Sequence, residues 1–256
     1  MKIGWITDDV CKTGGRQFTI KNLRDKTPPD VELIDINLND PEECDLYIIH
    51  TPMVPKNLPL FPKTLKPGLA KVRPVIMYAH QWNIMGFGAN SIVYQSPLHA
   101  TQHKFGKSFI IPPAITSEEV VYEGDELEPI NANLWLGTFS PETGADIAVR
   151  VGEAERVETH FFGWQVPQSN TNFSKLGGEI VHTQIPSLYR RYLRLVYYPR
   201  DPQPFGRSIA EALLSGAEVR VSGKLGIESF DKPIQEVLES TFTASEEFWK
   251  LVETHL

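Results

Sequence analysis

Short apolar runs alternate with polar, helix-length segments along the first half of the chain. Residues 2–7 form the first run, and residues 31–36 show the two-residue alternation of a strand with one buried face. Strands separated by helix-length connections pair in parallel, so the pattern predicts a parallel sheet over residues 1–115. The other predicted strands of this domain are 46–50, 74–80, 91–95 and 107–111.

Residues 116–130 interrupt this pattern, and because they are acidic, weakly periodic and end near a proline, they predict a linker. A second domain is then predicted over residues 131–256, ending in an amphipathic helix over 245–256 with Ser245 as its N-cap. Its predicted strands are 132–137, 157–163, 178–182, 195–198 and 218–221, and its predicted helices are 146–154, 185–194 and 207–214. The predicted fold class is α/β: two Rossmann-like, doubly wound parallel-sheet domains facing a central cleft, where ligands of such sheets bind.

The composition adds a soluble, globular character to this picture. Of the 256 residues, 41% are hydrophobic and 22% are charged. No apolar run reaches membrane-spanning length and Met1 leads directly into a strand, so no transmembrane segment or signal peptide is expected. The two cysteines, Cys11 and Cys44, form no metal or disulfide pattern and fit a reducing compartment. The expected location is therefore the cytoplasm.

Charge is distributed unevenly between the two halves. Residues 1–115 carry 13 Lys and Arg against 10 Asp and Glu, whereas residues 116–256 carry 12 against 22. The mildly basic first half is compatible with an anionic acceptor. The acidic second half argues against a broad nucleic-acid surface.

The segment 195–216 predicts a strand, a tight turn, a helix and a stopping glycine. Gly206 allows the backbone to approach a ligand closely. The helix that begins at Arg207 directs its unpaired N–H groups and the positive end of its dipole to the same place, which suits a phosphate. Glu211 lies one helical turn further on and can accept hydrogen bonds from a sugar hydroxyl beside that phosphate.

Further candidate residues follow the predicted strands of the first domain. Gly14 and Gly15 form a strand-to-helix turn after the first strand, with Arg16 able to reach an anionic group. His50 and His80 end the third and fourth strands, where a histidine can bind a sugar hydroxyl or transfer a proton. Trp82, in the loop after His80, can stack on a sugar or a base. The alternative for each histidine is a ring whose hydrogen bonds are satisfied by nearby backbone.

The segment from Tyr189 to Gly216, the Gly14-Gly15 turn and the His80 loop together resemble glycosyltransferase family 4, whose members have the two-domain GT-B fold. The resemblance implies transfer of a sugar from a nucleotide-sugar donor (a UDP-, GDP- or ADP-sugar) to an acceptor hydroxyl, with retention of configuration and without a metal or other cofactor. It implies catalytic roles for His80 and Gln203. It also implies donor-binding roles for Gly14, Gly15, Gly163, Phe205, Gly206, Arg207, Ser208 and Glu211, with Arg16, His50, Trp82, Thr138 and Arg200 as secondary candidates.

Two positions depart from the family pattern. Gln203 stands where the family has the first of two glutamates, and an amide supplies no negative charge to a developing oxocarbenium ion. Thr138 and Thr143 stand near the positions of an arginine and a lysine that neutralise the donor diphosphate. Losing two charge-assisted contacts costs a few kcal/mol. Arg200 and Arg207 are the predicted substitutes.

These departures leave two alternatives open beside the glycosyltransferase. One is a non-catalytic module that binds a nucleotide or a glycan on the same scaffold. The other is a glycosyltransferase that acts on modified DNA bases, suggested by the small size and the basic first half. The acceptor (a glycan, a small molecule or modified nucleic acid) is not specified by the sequence.

Overall fold

The chain divides into two compact units, Met1–Ala114 with Ser229–Leu256, and Ile115–Glu228. The computed structural model describes residues 1–7, 15–36, 43–50, 73–80, 82, 89–101, 107–140, 142–163, 174–178 and 180–256. Within these residues, no helix combines the length and the apolar character needed to cross a bilayer.

The first unit contains a six-stranded sheet in which every pair of neighbours is parallel. Its strands are β1 (Lys2–Ile6), β2 (Glu32–Asp35), β3 (Leu46–His50), β4 (Val75–Tyr78), β5 (Ser91–Tyr94) and β6 (Lys107–Ile110), and its helices include α1 (Gly15–Asp25) and α2 (Pro97–Ala100). The strand order is β2-β1-β3-β4-β5-β6. Because β2 and β3 lie on opposite sides of β1, the winding direction reverses between β1 and β3. Ligands of such sheets bind beyond the carboxyl ends of the strands at this reversal.

The last helix of the chain, α6 (Ile234–Glu253), belongs to the first unit. Its buried residues recur every three or four positions, as the face of a helix that packs on a core. The indole N–H of Trp249 donates to the Leu23 carbonyl at 2.8 Å, and Ser245 Oγ donates to the Asn22 carbonyl at 3.1 Å. These bonds fix α6 on the carboxyl-terminal half of α1.

The second unit contains a five-stranded sheet, also parallel throughout. Its strands are β7 (Ile130–Leu136), β8 (Thr159–Phe162), β9 (Ser174–Gly178), β10 (Tyr192–Tyr197) and β11 (Val219–Val221), and its helices are α3 (Ala145–Glu155), α4 (Ile185–Arg191) and α5 (Arg207–Leu214). The order is β11-β10-β7-β8-β9, so the winding reverses between β7 and β10. The loops after these two strands therefore occupy the expected ligand position of this unit.

The α/β class with two parallel, Rossmann-like sheets is confirmed, and several element bounds need correction. The predicted strand 178–182 coincides with an observed strand only at Gly178, the last residue of β9, and His182–Gln184 is a 3-10 turn. The apolar pair Ile180-Val181 suggested a buried strand, but Val181 is 65% exposed. The last helix begins at Ile234 rather than at Ser245, which lies inside it as a buried residue. β10 begins at Tyr192, three residues before the predicted strand.

The contact division also differs from the predicted domain bounds. The final helix was counted in the second domain, residues 131–256, whereas its apolar face packs on α1 and the first sheet. The predicted linker 116–130 falls within the second unit, where Ser117–Glu119 forms a 3-10 turn and Val120 is buried. An acidic segment reads as a linker in the sequence, but the hydrogen bond from Ser215 Oγ to the Val120 carbonyl (2.8 Å) ties it to α5.

Candidate functional site

The turn from β10 into α5 forms the centre of the candidate site in the second unit. Gly206 adopts φ = 100°, a left-handed conformation that favours glycine, and its carbonyl accepts the first hydrogen bonds of α5 from Ile209 and Ala210. Phe205 is buried beneath the turn, and Ser208 lies in the first helical turn, where backbone N–H groups have no intrahelical acceptor. The predicted helix 207–214 agrees with the observed bounds of α5.

Gln203 is held in this turn by both its backbone and its side chain. Its N–H donates to the Lys224 carbonyl at 2.9 Å, and its carbonyl accepts from the Gly226 N–H at 3.0 Å. In the side chain, Oε1 accepts from the Tyr197 hydroxyl at 3.3 Å, while Nε2 donates to the Asp201 carbonyl at 3.1 Å. Burial raises the pKa of Tyr197 to about 12, so its hydroxyl remains a donor. The side-chain amide of Gln203 is therefore held at both its oxygen and its nitrogen.

Arg207 lies between two buried carboxylates. Its Nε donates to Glu211 Oε1 at 2.6 Å, and its Nη2 donates to Glu119 Oε1 at 2.7 Å. The side chains of all three residues are less than a tenth exposed. The predicted Arg207–Glu211 proximity across one helical turn is observed, but the guanidinium contacts protein carboxylates where a donor phosphate was expected.

Two further side chains complete this ionic cluster, which we define as Glu119, His182, Tyr189, Arg207 and Glu211. His182 Nε2 lies 3.7 Å from Glu211 Oε1, and its Nδ1 lies 3.9 Å from Glu119 Oε1. Tyr189 donates to the Ser208 carbonyl at 3.0 Å and has its hydroxyl 3.4 Å from Glu211 Oε2. Burial acts to raise the pKa of Glu211, but the charge of Arg207 and the contact with His182 outweigh it and lower that pKa. Glu211 is therefore a buried carboxylate that stays ionised.

The loops after β7 and β8 bring backbone close to backbone. Gly163 adopts φ = 134°, and a Cβ there would lie 1.9 Å from the Gly137 carbonyl oxygen. Thr143 donates its hydroxyl to the Thr138 carbonyl at 2.8 Å, closing the loop on itself. Gly144 precedes α3 with φ = 74°, and a Cβ there would lie 1.7 Å from the Tyr198 carbonyl oxygen. Only glycine fits at positions 144 and 163.

Arg200 is engaged by a carboxylate at the surface. Its two terminal nitrogens donate to the two oxygens of Asp146 at 2.8 and 2.6 Å. Arg150 donates to the same carboxylate at 2.7 Å. The hydrogen bonds from Arg200 and Arg150 lower the pKa of Asp146 to about 2. Arg200 therefore lies beside the start of α3, near the candidate loops, with its guanidinium paired.

In the first unit, the predicted histidines come together. His50 is the last residue of β3, and His80 follows the end of β4. Nδ1 of His50 lies 2.9 Å from Nε2 of His80, and the rings are 1% and 8% exposed. Burial, together with the charge of Arg16, lowers the pKa of His50 to about 3, so this imidazole is neutral.

The remaining candidates of the first unit are placed as follows. Gly15 is the exposed first residue of α1, and Arg16 follows it. Trp82 stacks on His99, with ring centroids 6.1 Å apart. Gly14 lies outside the described residues, as do most of the loops after β1, β3 and β4.

Among the residues that contact the candidates, Glu119 and Gln95 were not singled out by sequence reasoning. Glu119 shows the local signature of a helix start, Thr116-Ser-Glu-Glu119, and its Oε2 accepts from the Thr116 N–H at 2.8 Å. Nothing local indicates its bond to Arg207, 88 positions away. Gln95 follows β5 and places its Nε2 3.3 Å from Nδ1 of His80, a contact that depends on the order of strands in the sheet. Among the described residues, no three His, Cys, Asp or Glu side chains form a group that could hold a metal ion.

Comparison with known proteins gives a structural likeness only. No family model and no curated protein matches the sequence. Solved structures do match. AviGT4, a glycosyltransferase involved in avilamycin A biosynthesis, has 14% sequence identity and a TM-score of 0.65, with 99% of this chain and 97% of that chain covered.

Two further structures agree. Anabaena HepE in complex with UDP-glucose has 16% identity and a TM-score of 0.64, covering 98% of this chain and 91% of that one. WaaG, a glycosyltransferase involved in lipopolysaccharide biosynthesis, has 10% identity and a TM-score of 0.61, covering 95% and 90%. The chain has the GT-B fold. The resemblance to GT-B glycosyltransferases predicted from residues 189–216 is thereby confirmed at the level of the fold.

Proposed function

We propose that the GT-B chain is a glycosyltransferase that moves a sugar from a nucleotide-sugar donor to an acceptor hydroxyl, with retention of configuration. The observation that carries the proposal is the coincidence of three features at the β7/β10 winding reversal. The loop after β7 begins at Gly137 and contains glycines at positive φ, the tight turn after β10 ends at Gly206, and α5 begins at Arg207. A helix start beside glycine loops at such a reversal is a favourable place for phosphate groups.

The ligands of one structural neighbour support the same chemistry. HepE was solved with UDP, with UDP and glucose, and with UDP-glucose. We infer a uridine, guanosine or adenosine diphosphate sugar for this chain, because the backbone features at Gly206 and Ser208 address the phosphates rather than a particular base.

The proposed chemistry asks little of the protein beyond position and charge. The bond from the anomeric carbon to the donor phosphate breaks, and its electron pair leaves with the nucleoside diphosphate. The acceptor oxygen bonds to the same face of the anomeric carbon, and its proton is taken by the departing phosphate. The N–H groups at the start of α5 stabilise the negative charge that develops on that phosphate. His80 would serve the sugar indirectly, through His50, because its two ring nitrogens contact Gln95 and His50.

Arg207 and Glu211 take adjusted roles in this proposal. Glu211 remains the candidate contact for the ribose hydroxyls of the nucleotide. Because Glu211 is 3% exposed and Arg207 is bonded to it, we assign Arg207 to holding the carboxylate ionised and oriented. Because its side chain is 8% exposed and donates to two protein carboxylates, Arg207 is not assigned to the donor phosphate.

One observation favours a second candidate function, a non-catalytic module that binds a nucleotide or a glycan. The Gln203 amide is bonded to Tyr197 and Asp201, and it carries no charge to stabilise an oxocarbenium ion. The Thr143 hydroxyl donates to the Thr138 carbonyl in the loop where the family places basic residues. A module of this kind would hold the donor without releasing free nucleotide.

Calorimetry against UDP, GDP, ADP and their glucose conjugates tests the proposal, with release of nucleotide measured in parallel. The test variant is Glu211→Gln, which keeps the shape of the side chain and removes its charge. Losing charge-assisted hydrogen bonds to two ribose hydroxyls is expected to weaken binding by about tenfold or more. Glu153→Gln, on the exposed face of α3, is the matched control and should bind as the unaltered chain does.

The outcomes separate the candidates. Saturable binding with turnover supports the glycosyltransferase, and binding without turnover supports the module. Equal affinity of the Glu211→Gln and Glu153→Gln variants would remove the ribose assignment. Binding to none of these compounds would contradict both candidate functions as nucleotide-dependent activities.

A further inference from the structure

Three neighbouring strands of the first unit end in a row of buried polar side chains. β3, β4 and β5 lie side by side, and parallel strands bring their carboxyl ends to one edge of the sheet. His50 ends β3, while His80 and Gln95 follow β4 and β5. All three are buried, at 1%, 8% and 7% exposure.

Hydrogen bonds connect the three side chains in sequence. Gln95 Nε2 lies 3.3 Å from His80 Nδ1, and His80 Nε2 lies 2.9 Å from His50 Nδ1. With the amide oriented as in the structure, Gln95 donates, so His80 Nδ1 is the acceptor and its proton resides on Nε2. His80 then donates to His50 Nδ1. The proton of the neutral His50 ring must therefore reside on its Nε2.

That last nitrogen is the unusual one. Nε2 of His50 is buried and has no hydrogen-bond partner among the described residues. An unpaired buried donor costs about 1–3 kcal/mol, so native structures retain few of them. The ring also lies at the winding reversal, 4.4 Å between centroids from Trp5 of β1. The row thus delivers one unused N–H group to the position where ligands of this sheet bind.

We propose that Gln95 is a positioning residue that, through His80, fixes His50 as a neutral Nε2–H donor toward an oxygen atom of the bound ligand. The ligand part of this inference rests on the proposed function, in which the ligand is rich in hydroxyl and sugar oxygens. The tautomer part rests on the hydrogen bonds alone. A neutral donor suits an uncharged hydroxyl, since it binds an oxygen lone pair without placing a charge in a buried site.

The side chain at position 95 decides which nitrogen donates and which accepts in each hydrogen bond of the row. An amide can donate to His80, whereas a carboxylate of the same shape can only accept. Gln95→Glu would therefore draw a proton to His80 Nδ1, make His80 Nε2 the acceptor and move the His50 proton to Nδ1. His50 Nε2 would then face the ligand as a bare acceptor. Gln95→Met keeps the volume of the side chain and removes the hydrogen bond to His80 Nδ1, so position 95 no longer selects the tautomer of His80.

Nitrogen-15 spectroscopy of the full chain with labelled histidine reads the tautomers directly, because protonated and bare ring nitrogens differ widely in chemical shift. The chain has seven histidines, and spectra of His50→Gln and His80→Gln assign the two of interest. We expect Nε2–H at both rings in the unaltered chain near neutral pH, and Nδ1–H at both rings in Gln95→Glu. Thermal unfolding verifies that the variants are folded.

Either of two results would overturn the inference: Nδ1–H at His50 in the unaltered chain, or Nε2–H at both rings in Gln95→Glu. The first needs no variant, so it decides even where Gln95→Glu fails to fold. In an assay with an accepted donor, Gln95→Met is expected to lower kcat/KM about tenfold through loss of one oriented hydrogen bond. Absence of turnover in the unaltered chain would contradict the proposed function while leaving the tautomer result intact.

Discussion

In the first unit the buried polar groups at the ends of the strands form an uncharged row, whereas in the second unit they form an ionic cluster. His50, at 1% exposure, has its pKa lowered to about 3 by burial and so carries no charge, and Gln95 is an amide. In the second unit, Arg207 pairs with Glu119 and Glu211, and the side chains of all three residues are less than a tenth exposed. Burial and the charge of Arg16 lower the pKa of His50, while Arg207 and His182 keep the pKa of Glu211 low against burial.

The difference follows from the cost of a charge away from water. A buried ion needs a partner of opposite sign and hydrogen bonds for its remaining atoms, whereas a histidine can release its proton. His50 has the positive charge of Arg16 in its surroundings, so releasing the proton is favoured twice. The two units should therefore respond differently when one buried group is removed or when the pH changes.

The largest effect is expected for Arg207→Met. The change keeps much of the side-chain volume but leaves two buried carboxylates without their cation, which costs about 3–5 kcal/mol. Arg150→Met is the matched control, since Arg150 also pairs with a carboxylate four residues away on a helix but is 68% exposed. That pair is worth about 0.5 kcal/mol. Denaturant unfolding at neutral pH measures both losses.

A companion variant separates charge from packing. Combining Arg207→Met with Glu119→Gln and Glu211→Gln removes the uncompensated charges, and we expect most of the lost stability to return. A cost for Arg207→Met as small as that for Arg150→Met would mean that the buried cluster behaves like a surface pair. The second unit would then not differ from the first through a stabilising buried ionic cluster.

The second effect is a pH dependence from the uncharged row. Between its ordinary pKa of 6.5 and about 3, His50 binds a proton in the unfolded chain but not in the folded one. The unfolded state thus gains protons as the pH falls, and the folded state loses about 1 kcal/mol per pH unit below 6.5 from this residue. This stability is fully present above 6.5.

His50→Gln isolates the contribution of this histidine from that of other titrating groups. The stability of the variant should rise relative to the unaltered chain by about 1 kcal/mol per unit as the pH is lowered from 6.5 towards 4.5. Urea unfolding at several pH values measures the difference. Parallel pH profiles for the two proteins would show that His50 takes up its proton in the folded state, and the row would no longer be uncharged.

Local patterns in the sequence predict much of the fold because they describe local physics. The helix 207–214 is bounded by Gly206 and Gly216, and both glycines adopt positive φ. β9 was missed because Gly177 and Gly178 form its end and resemble a turn. The apolar pair Ile180-Val181, of which Val181 is exposed, was taken for the strand instead. A strand that ends in glycines carries no hydrophobic alternation to reveal it.

The candidate site is less accessible to sequence reasoning, since its contacts join distant positions. His50 and His80 were predicted to lie at the ends of strands, but the hydrogen bond between them depends on β3 and β4 being neighbours. The contact between Glu119 and Arg207 joins an acidic segment to a helix 88 positions away. Because a surface arginine and a buried one look the same in a sequence, Arg207 was assigned to phosphate.

The smallest effect is expected for Arg200→Gln, at the surface of the second unit. Arg200 makes two hydrogen bonds to Asp146 and is the first cause of the lowered pKa of that carboxyl, about 2. Both side chains are about two-fifths exposed, so water and salt screen the pair, and the stability change should be about 0.5 kcal/mol or less.

Nucleotide affinity should change less than about twofold in Arg200→Gln, since an arginine held by Asp146 is not available to a diphosphate. Calorimetry of Arg200→Gln against UDP measures this, with Arg150→Gln as the control on the same carboxylate. A loss of about tenfold for Arg200→Gln alone would mean that the arginine leaves Asp146 for the phosphate, and that the exposed pair of this unit, rather than its buried cluster, supplies positive charge to the donor.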